Sequence, residues 1–495
     1  MLVRNLLLST VLTTAVALNA SAADATHSLA QKTVKTKKVA QKDDAYSLEV
    51  HGNHYVPAPV QTKTEELVVF ADIKRNEKEK QDAPLVDNDG LSVKVGGKVD
   101  IQYGFINQKE YFKNPANNAN LPQYDGKKAG QMNTEGSAFA NQQAIVSNGE
   151  LSFEVEKTVD SCEKYGLNIT ADANTSPALS GNPNFASKVF IYMENGAGRF
   201  EVGANDGASS EMTFSAEKLA KATGGIDGDY TTWIPYGAVG GTNNDMLEDT
   251  FLVSPALPYS AQHQKKANKI TYYTPTFNGF KAGFSYVPDV TVQGTTYEAL
   301  SFKGSGYKNV VEGGLSYEHK NDQILFNVSL TGQIGEARDA YIDSTTSQSL
   351  KKLGAWQVGG QVAYDSFKVA GSYGDWNASG TVKNPASGTP SKKANFWTAG
   401  LAYDYQDKGG ASLTYLSSQR RGAYSMSALD YITANQATFD AATQKYEALS
   451  LGLEYKVMPG LMPYTEFTSF NYKSDLANVK TNKGSVVLAG IKLNF

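Results

Sequence analysis

The chain has 495 residues, with 45 glycines, 28 tyrosines and 21 phenylalanines set against a hydrophobic share of only 41%. A formal net charge of −4 argues against nucleic acid or any strongly charged partner, a single cysteine excludes an internal disulfide framework, and five histidines leave little room for metal chemistry. Composition therefore favours many short strands over helices.

In chain order, Arg4 followed by the apolar run 6–18 and the small residues Ala20, Ser21 and Ala22 reads as a secretory signal, residues 1–22, cleaved after Ala22. The apolar run is shorter than the ~20 residues a membrane-spanning helix needs. Residues 23–90 carry Lys32, Lys35, Lys37, Lys38 and Lys42 among few apolar residues, and read as a polar, largely disordered periplasmic extension. His51 and His54 sit on it as a lone pair, which does not make a zinc site. Cys162 reads as an incidental turn residue.

From Leu91 a period of two begins and runs to the last residue. Val93, Val95, Val99, Ile101, Tyr103 and Phe105 fall on one face, with Lys94, Lys98, Asp100 and Gln102 on the other. Leu151, Phe153 and Val155 likewise oppose Glu150, Ser152, Glu154 and Glu156, and Trp356, Val358, Val362 and Tyr364 oppose Gln357, Gln361 and Asp365. One face of each strand must meet an apolar phase and the other a polar one. The runs come in pairs joined by short turns such as Asn278-Gly279 and Pro459-Gly460, while longer polar segments such as 112–142, 335–352 and 420–445 separate the pairs. That alternation of short turns and long loops is the arrangement of outer-membrane barrels. The pattern predicts sixteen strands, at 91–105, 144–157, 165–173, 186–194, 199–204, 269–275, 279–287, 309–319, 323–334, 354–365, 366–376, 395–406, 410–419, 446–456, 460–470 and 484–495.

A soluble β-sandwich would also alternate. Against it stand charges repeated along the polar face and aromatics near strand ends on the apolar face: Tyr103, Phe105, Tyr272, Tyr364, Tyr373, Trp376, Tyr403, Tyr405 and Tyr455. The expected fold is all-β, a sixteen-stranded antiparallel transmembrane β-barrel over 91–495 with a polar lumen. Lipid-facing and lumen-facing residues then alternate, which accounts for a mean hydropathy of −0.38 in a membrane protein.

One stretch breaks the rhythm. Between the fifth and sixth strands, residues 205–268 have no sustained apolar period and are rich in Gly, Asn and Asp. A structureless segment of this length inside a compact domain is expected only where it is functional. Its carboxylates Asp206, Glu211, Glu217, Asp227, Asp229, Asp245, Glu248 and Asp249 meet only Lys218 and Lys221 before His263. Such an insertion can cap a site, bind a cation, or fold into a barrel and narrow it; the strands around it favour the third.

The last strand places Val487, Ala489, Ile491, Leu493 and Phe495 on one face, so the chain ends on an aromatic of the apolar set. The terminal Gly490-Ile-Lys-Leu-Asn-Phe495 resembles the assembly signal of Gram-negative outer-membrane proteins. The segments Gly198-Arg-Phe-Glu-Val-Gly-Ala-Asn-Asp-Gly207 and Lys269-Ile-Thr-Tyr-Tyr-Thr-Pro-Thr-Phe-Asn-Gly-Phe-Lys-Ala-Gly-Phe-Ser-Tyr286 resemble general diffusion porins of the alphaproteobacterial type. The resemblance covers 91–495. It implies an outer-membrane channel for ions and small hydrophilic solutes, a homotrimer set among lipids and lipopolysaccharide, and delivery by the outer-membrane assembly machinery through Gly490, Leu493 and Phe495. It implies that 205–268 is an inward constriction loop, with Asp227, Asp229, Asp245, Glu248 and Asp249 as its acidic rim. The facing basic wall would come from the inward positions Lys94, Lys98, Lys188, Arg199 and Lys269. Few arginines, and Tyr273 at a position where a base would be sought, depart from the enteric pattern.

A solvated loop charge remains an equal reading for any single carboxylate. Tyr236, Tyr259 and Trp233 leave a substrate-specific channel open, and the long outer loops leave room for a surface adhesin or antigen. A barrel hydrolase would need a nucleophile beside a histidine and a carboxylate, but His263 and His319 are the only barrel histidines and neither has a serine partner by sequence. The expectation is a protein without enzymatic activity, cofactor or metal.

Overall fold

The computed structural model describes residues 87–88, 90–109, 142–160, 163–173, 186–234, 252–260, 266–290, 307–321, 323–337, 340–341, 347–348, 351–379, 381, 394–421, 443–475 and 481–495. The signal at 1–22, the extension up to residue 86, Cys162, Tyr236 and His263 lie outside the described residues.

Sixteen strands form one sheet that closes on itself. They are β1 (Leu91–Gln108), β2 (Gln143–Asp160), β3 (Glu163–Asp172), β4 (Ala186–Asn195), β5 (Gly198–Ala204), β6 (Asn268–Tyr273), β7 (Phe280–Asp289) and β8 (Tyr307–Lys320), then β9 (Ile324–Ala337), β10 (Leu353–Tyr364), β11 (Phe367–Asp375), β12 (Asn395–Asp404), β13 (Gly409–Arg421), β14 (Thr443–Tyr455), β15 (Leu461–Ser474) and β16 (Asn482–Asn494). Each pairs antiparallel with its sequence neighbours, and β16 pairs with β1 from Gly484↔Gln108 to Asn494↔Lys98, which leaves no free edge. Closure satisfies every ladder within the chain, the condition for strands in a medium that offers no hydrogen bonds. All sixteen expected strands are present, within a few residues at their ends. Asp87–Asn88 adds a short pairing to β1.

The short turns follow local chemistry. Asn278 (φ 49°) and Gly279 (φ 86°) both sit at positive φ, the requirement of a type I′ hairpin turn, whose twist matches the flanking strands. Because every neighbouring pair is antiparallel, the short turns all fall at the same end of the strands.

The outward face is apolar, as the period predicts: Val95, Ile101, Tyr103, Ile191, Leu330, Val369, Leu401 and Ile491 are all exposed on the barrel surface. Two expectations need correction. Trp376 does not belong to the outer aromatic set; it is fully buried and its indole N–H donates to the Ala256 carbonyl at 2.8 Å. The interior is not uniformly polar either. Toward the long-loop end, Ile106, Val310, Leu353, Phe396, Leu416, Tyr446, Ala448, Phe470, Tyr472, Val486 and Leu488 point inward and pack against Ile226, Tyr230, Leu252 and Leu257 of the segment after β5. Burying such side chains is worth about 1.5–3 kcal/mol each. A protein core thus occupies part of the lumen, and its partner is an inserted segment.

Candidate functional site

From the end of β5, residues 205–234 run along the inner wall, fastened to one strand after another. The Ala208 N–H donates to Ser285 Oγ of β7 at 2.9 Å, and the Ser209 hydroxyl donates to Glu312 of β8. The Phe214 N–H reaches Ser329 Oγ of β9 at 3.0 Å, and the Lys221 N–H reaches Ser412 Oγ of β13 at 2.8 Å. The Ala222 N–H donates to Glu454 of β14 at 3.0 Å, and Lys492 of β16 donates to the Ala222 carbonyl. Small inward residues make this route possible. A Cβ at Gly359 of β10 would lie 1.9 Å from the Phe214 carbonyl oxygen, so only glycine lets the segment lie this close.

Glu466 of β15 is the most heavily used anchor. It is 1% exposed and accepts from the Thr223 N–H at 3.1 Å, the Thr223 hydroxyl at 2.8 Å and the Gly225 N–H at 3.1 Å. Ala222 (φ 57°), Gly224 (φ 128°) and Gly225 (φ 62°) curl the backbone so that these donors converge on one carboxylate, an anion-binding nest built from main chain. Beside it, Lys221 Nζ lies 2.6 Å from Asp404 of β12 and 3.6 Å from Glu454.

The far end of this limb meets β1. Trp233 Nε1 donates to Gln102 Oε1 at 2.9 Å, and Gln102 Nε2 donates to Asp229 at 3.0 Å and to the Tyr464 hydroxyl at 2.9 Å. Tyr464 in turn donates to Asp100 at 2.8 Å. The segment then returns: Ser418 of β13 donates to the Leu252 carbonyl, and the Tyr259 N–H donates to Gln333 of β9 at 3.0 Å. Gln333 Nε2 lies 2.9 Å from Ser209 Oγ and 2.7 Å from Ser260 Oγ, so one amide ties the outgoing and returning limbs together.

The wall of β1–β5 keeps solvent access. Lys98 and Glu150, directly opposite each other on β1 and β2, are exposed to the interior, and Lys94, Glu154, Lys188 and Arg199 are half-buried. This sector carries both signs. Lys188 Nζ sits 2.5 Å from Asp206, and Arg199 pairs with Glu201 at 2.6 Å and Glu194 at 3.1 Å while its guanidinium lies 4.0 Å from the Tyr192 ring centre.

Of the basic residues singled out from sequence, Lys94, Lys98, Lys188 and Arg199 share this open wall. Lys269 points inward but is only 3% exposed, beneath the inserted segment, where it donates to the Asn205 carbonyl. Of the acidic residues, Asp227 is exposed and Asp229 is held by Gln102; burial, acting first, raises the Asp229 carboxyl above its ordinary pKa. Asp245, Glu248 and Asp249 lie outside the described residues. Gly490 faces inward against Tyr464, whereas Leu493 and Phe495 face outward. Trp233 and Tyr259 are engaged in packing, Tyr259 being 1% exposed. Sequence reading missed the anchors Gln102, Gln333, Glu454 and Glu466. The available signal was inward carboxylates and amides opposite a long glycine-rich insertion. Among the described residues no group of acidic, histidine or cysteine side chains is arranged to hold a metal.

A family model described as Gram-negative porin matches residues 68–475. An uncharacterized protein of Rickettsia typhi is 26% identical over 489 residues, covering 87% of this chain and 98% of its own length. Among solved structures, the anion-selective porin of Comamonas acidovorans is similar at 14% identity and a TM-score of 0.48, with 82% of this chain and all of that one covered. The outer-membrane channel DcaP of Acinetobacter baumannii is similar at 12% identity and a TM-score of 0.49, with 83% and 100% covered.

Proposed function

The chain belongs to the Gram-negative porin family and to the outer membrane, and from that premise we propose a water-filled channel for passive diffusion of ions and small hydrophilic solutes, modestly preferring cations. The observation that carries this reading is the segment after β5. It lies inside the barrel along β7–β16, while Lys98 and Glu150 on the far side remain open to solvent. A barrel of this strand number leaves an aqueous bore, and an inserted loop narrows it without closing it.

The work is physical. Closed ladders hold the backbone in lipid, and the loop sets width. Charges at the narrow zone set ion preference, because opposite charges near a low-dielectric wall act at short range. The carboxylate excess of the loop, with Asp227, Asp229, Asp245, Glu248 and Asp249 as its rim, is the source of the cation preference. The homotrimer, the contacts with lipopolysaccharide and the handling of Phe495 by the assembly machinery belong to the same reading. Purified protein in a planar bilayer tests it. Steady ohmic channels whose reversal potential in a salt gradient has the sign of cation preference are expected. Absence of channels would end the diffusion reading, and an anion-side reversal potential would end the preference.

A further inference from the structure

The interior wall divides into two sectors that differ in kind. On β9–β15 the inward side chains under the inserted segment are sealed, the small hydroxylated ones among them: Ser329 is 3% exposed, Thr398 3%, Ser412 3%, Ser450 0% and Thr468 1%. On β1–β5 a set of long charged side chains keeps access to solvent: Lys98 and Glu150 are exposed and Lys94, Glu154, Lys188 and Arg199 half-buried. The boundary on one side is the root of the inserted segment at β5 and β6, which cannot move because it is chain. On the other side the boundary is β1, and there only side chains hold it.

That holding point is fully specified. An indole N–H can only donate, so Gln102 must present Oε1 to Trp233, which leaves both Nε2 hydrogens for Asp229 and the Tyr464 oxygen. Tyr464 is then left to give its own hydrogen to Asp100. Gln102 is 1% exposed, and a buried polar network with every member partnered is stiff. Gly104, two residues along on the same face of β1, supplies the seat: a Cβ there would fall 2.3 Å from the Trp233 ring. Between Glu466 and this point the limb is held by the Ile226 N–H to Thr414 Oγ1 at 3.2 Å, by the Tyr446 hydroxyl to that of Tyr230 at 3.1 Å and by the burial of Ile226 and Tyr230, none of which reaches β1.

We propose that the clip of Gln102, Trp233, Asp229 and Tyr464 fixes the width of the passage left between the inserted segment and β1–β5. The proposal rests on the channel reading above, in which the path runs beside the open wall of β1–β5, and adds which residues position its movable border. Gln102 acts through the loop, so it is a positioning residue. With the clip intact the limb lies flat on the wall. With it broken, residues 229–234 come off β1 and enter the passage intermittently.

Two measurements test this on the full-length protein in planar bilayers. In a background with Cys162, the sole cysteine, changed to Ala, single cysteines are placed at Lys98, Glu150, Ser412 or Ser450, and a charged thiosulfonate is added to the open channel. Loss of current is expected for the first two and none for the last two; reaction and block at Ser412 or Ser450, or silence at Lys98 and Glu150, overturns the one-sided path. Separately, Gln102→Leu and Trp233→Phe are recorded as single channels with neutral polymers of graded size. Flicker between current levels and a shifted polymer cut-off are expected, milder for Trp233→Phe, which keeps the ring on Gly104. Heat-modifiable variants with steady current and the parent cut-off overturn the clip. Failure of the parent protein itself to conduct would instead count against the channel reading.

Discussion

At the scale of single residues, the inserted loop is held by groups whose replacement has separable consequences. Glu466→Ala leaves the donors of Thr223 and Gly225 facing an empty site, and a buried donor without a partner costs about 1–3 kcal/mol. The variant is expected to keep its strand content but to lose the compact, heat-modifiable gel form at lower temperature, with new proteolysis near residues 221–226; unchanged behaviour on both counts would show that the nest does not hold the loop. Glu217 makes a pH prediction. Burial pushes its carboxyl up to about 7, opposed by the Ser215 hydroxyl and helped by Asp227, with Lys218 nearby pulling it down. An acid whose folded pKa lies above the unfolded value contributes stability that is present below the ordinary value near 4.5 and lost as pH rises through 7. The loop should therefore be firmest near pH 4.5 and loosen toward pH 8, read as rising open-channel noise across that interval. Glu217→Gln should stay quiet throughout, and noise that rises equally in that variant would assign the effect to another group. None of this was readable from sequence, because a carboxylate in a loop looks the same whether solvated or pressed against a wall six to eight strands further along the chain.

At the scale of elements, the strands were legible because period two reports the face, and the face is what lipid demands. The exceptions were legible in principle too. Val486-Val487-Leu488 and Phe396-Trp397 put apolar residues on both faces in succession, which the structure explains: Val486, Leu488 and Phe396 are buried inside while Val487 and Trp397 face out. A strand apolar on both faces is covered on both, so such runs announce that something fills the lumen beside them. What fills it could not be placed, since a segment without period gives no direction. The last strand carries its own test. The Phe495 N–H donates to the Gly97 carbonyl at 3.0 Å and its carbonyl accepts from the Gly97 N–H at 2.9 Å, while its ring lies over Gly97, where a Cβ would come within 2.4 Å. The terminal residue therefore closes the β16–β1 seam as well as presenting an aromatic to lipid. Deleting it is expected to lower the amount of folded protein in the outer membrane with export intact, measured as accumulation of unfolded chain in the periplasm. Replacing Gly97 by Val should impair the seam in the same direction by displacing the ring. Normal outer-membrane levels in both variants would separate the seam from assembly.

At the scale of the whole molecule, the sign of the pore's preference is decided by the balance of charge along the passage. The basic side chains of the open wall are largely neutralised, Lys188 by Asp206 of the inserted segment and Arg199 by Glu201 and Glu194, while at the loop Lys221 is shared by Asp404 and Glu454. A wall that cancels its own field gives little discrimination, so the loop's excess of carboxylates should dominate. Changing Asp245, Glu248 and Asp249 to Asn, Gln and Asn is then expected to move the reversal potential toward anions. Screening gives the prediction a second axis. The Debye length falls from about 10 Å at 0.1 M salt to about 3 Å at 1 M, so the difference between parent and variant should shrink as salt rises. Charges sealed behind the loop, such as Glu312 at 1% exposure, would be screened far less, and a shift that persists at high salt would point to them instead. A variant whose reversal potential equals the parent's at low salt would mean that these carboxylates stand away from the passage, and that the preference, if any, comes from Lys98, Glu150 and their neighbours on β1–β5.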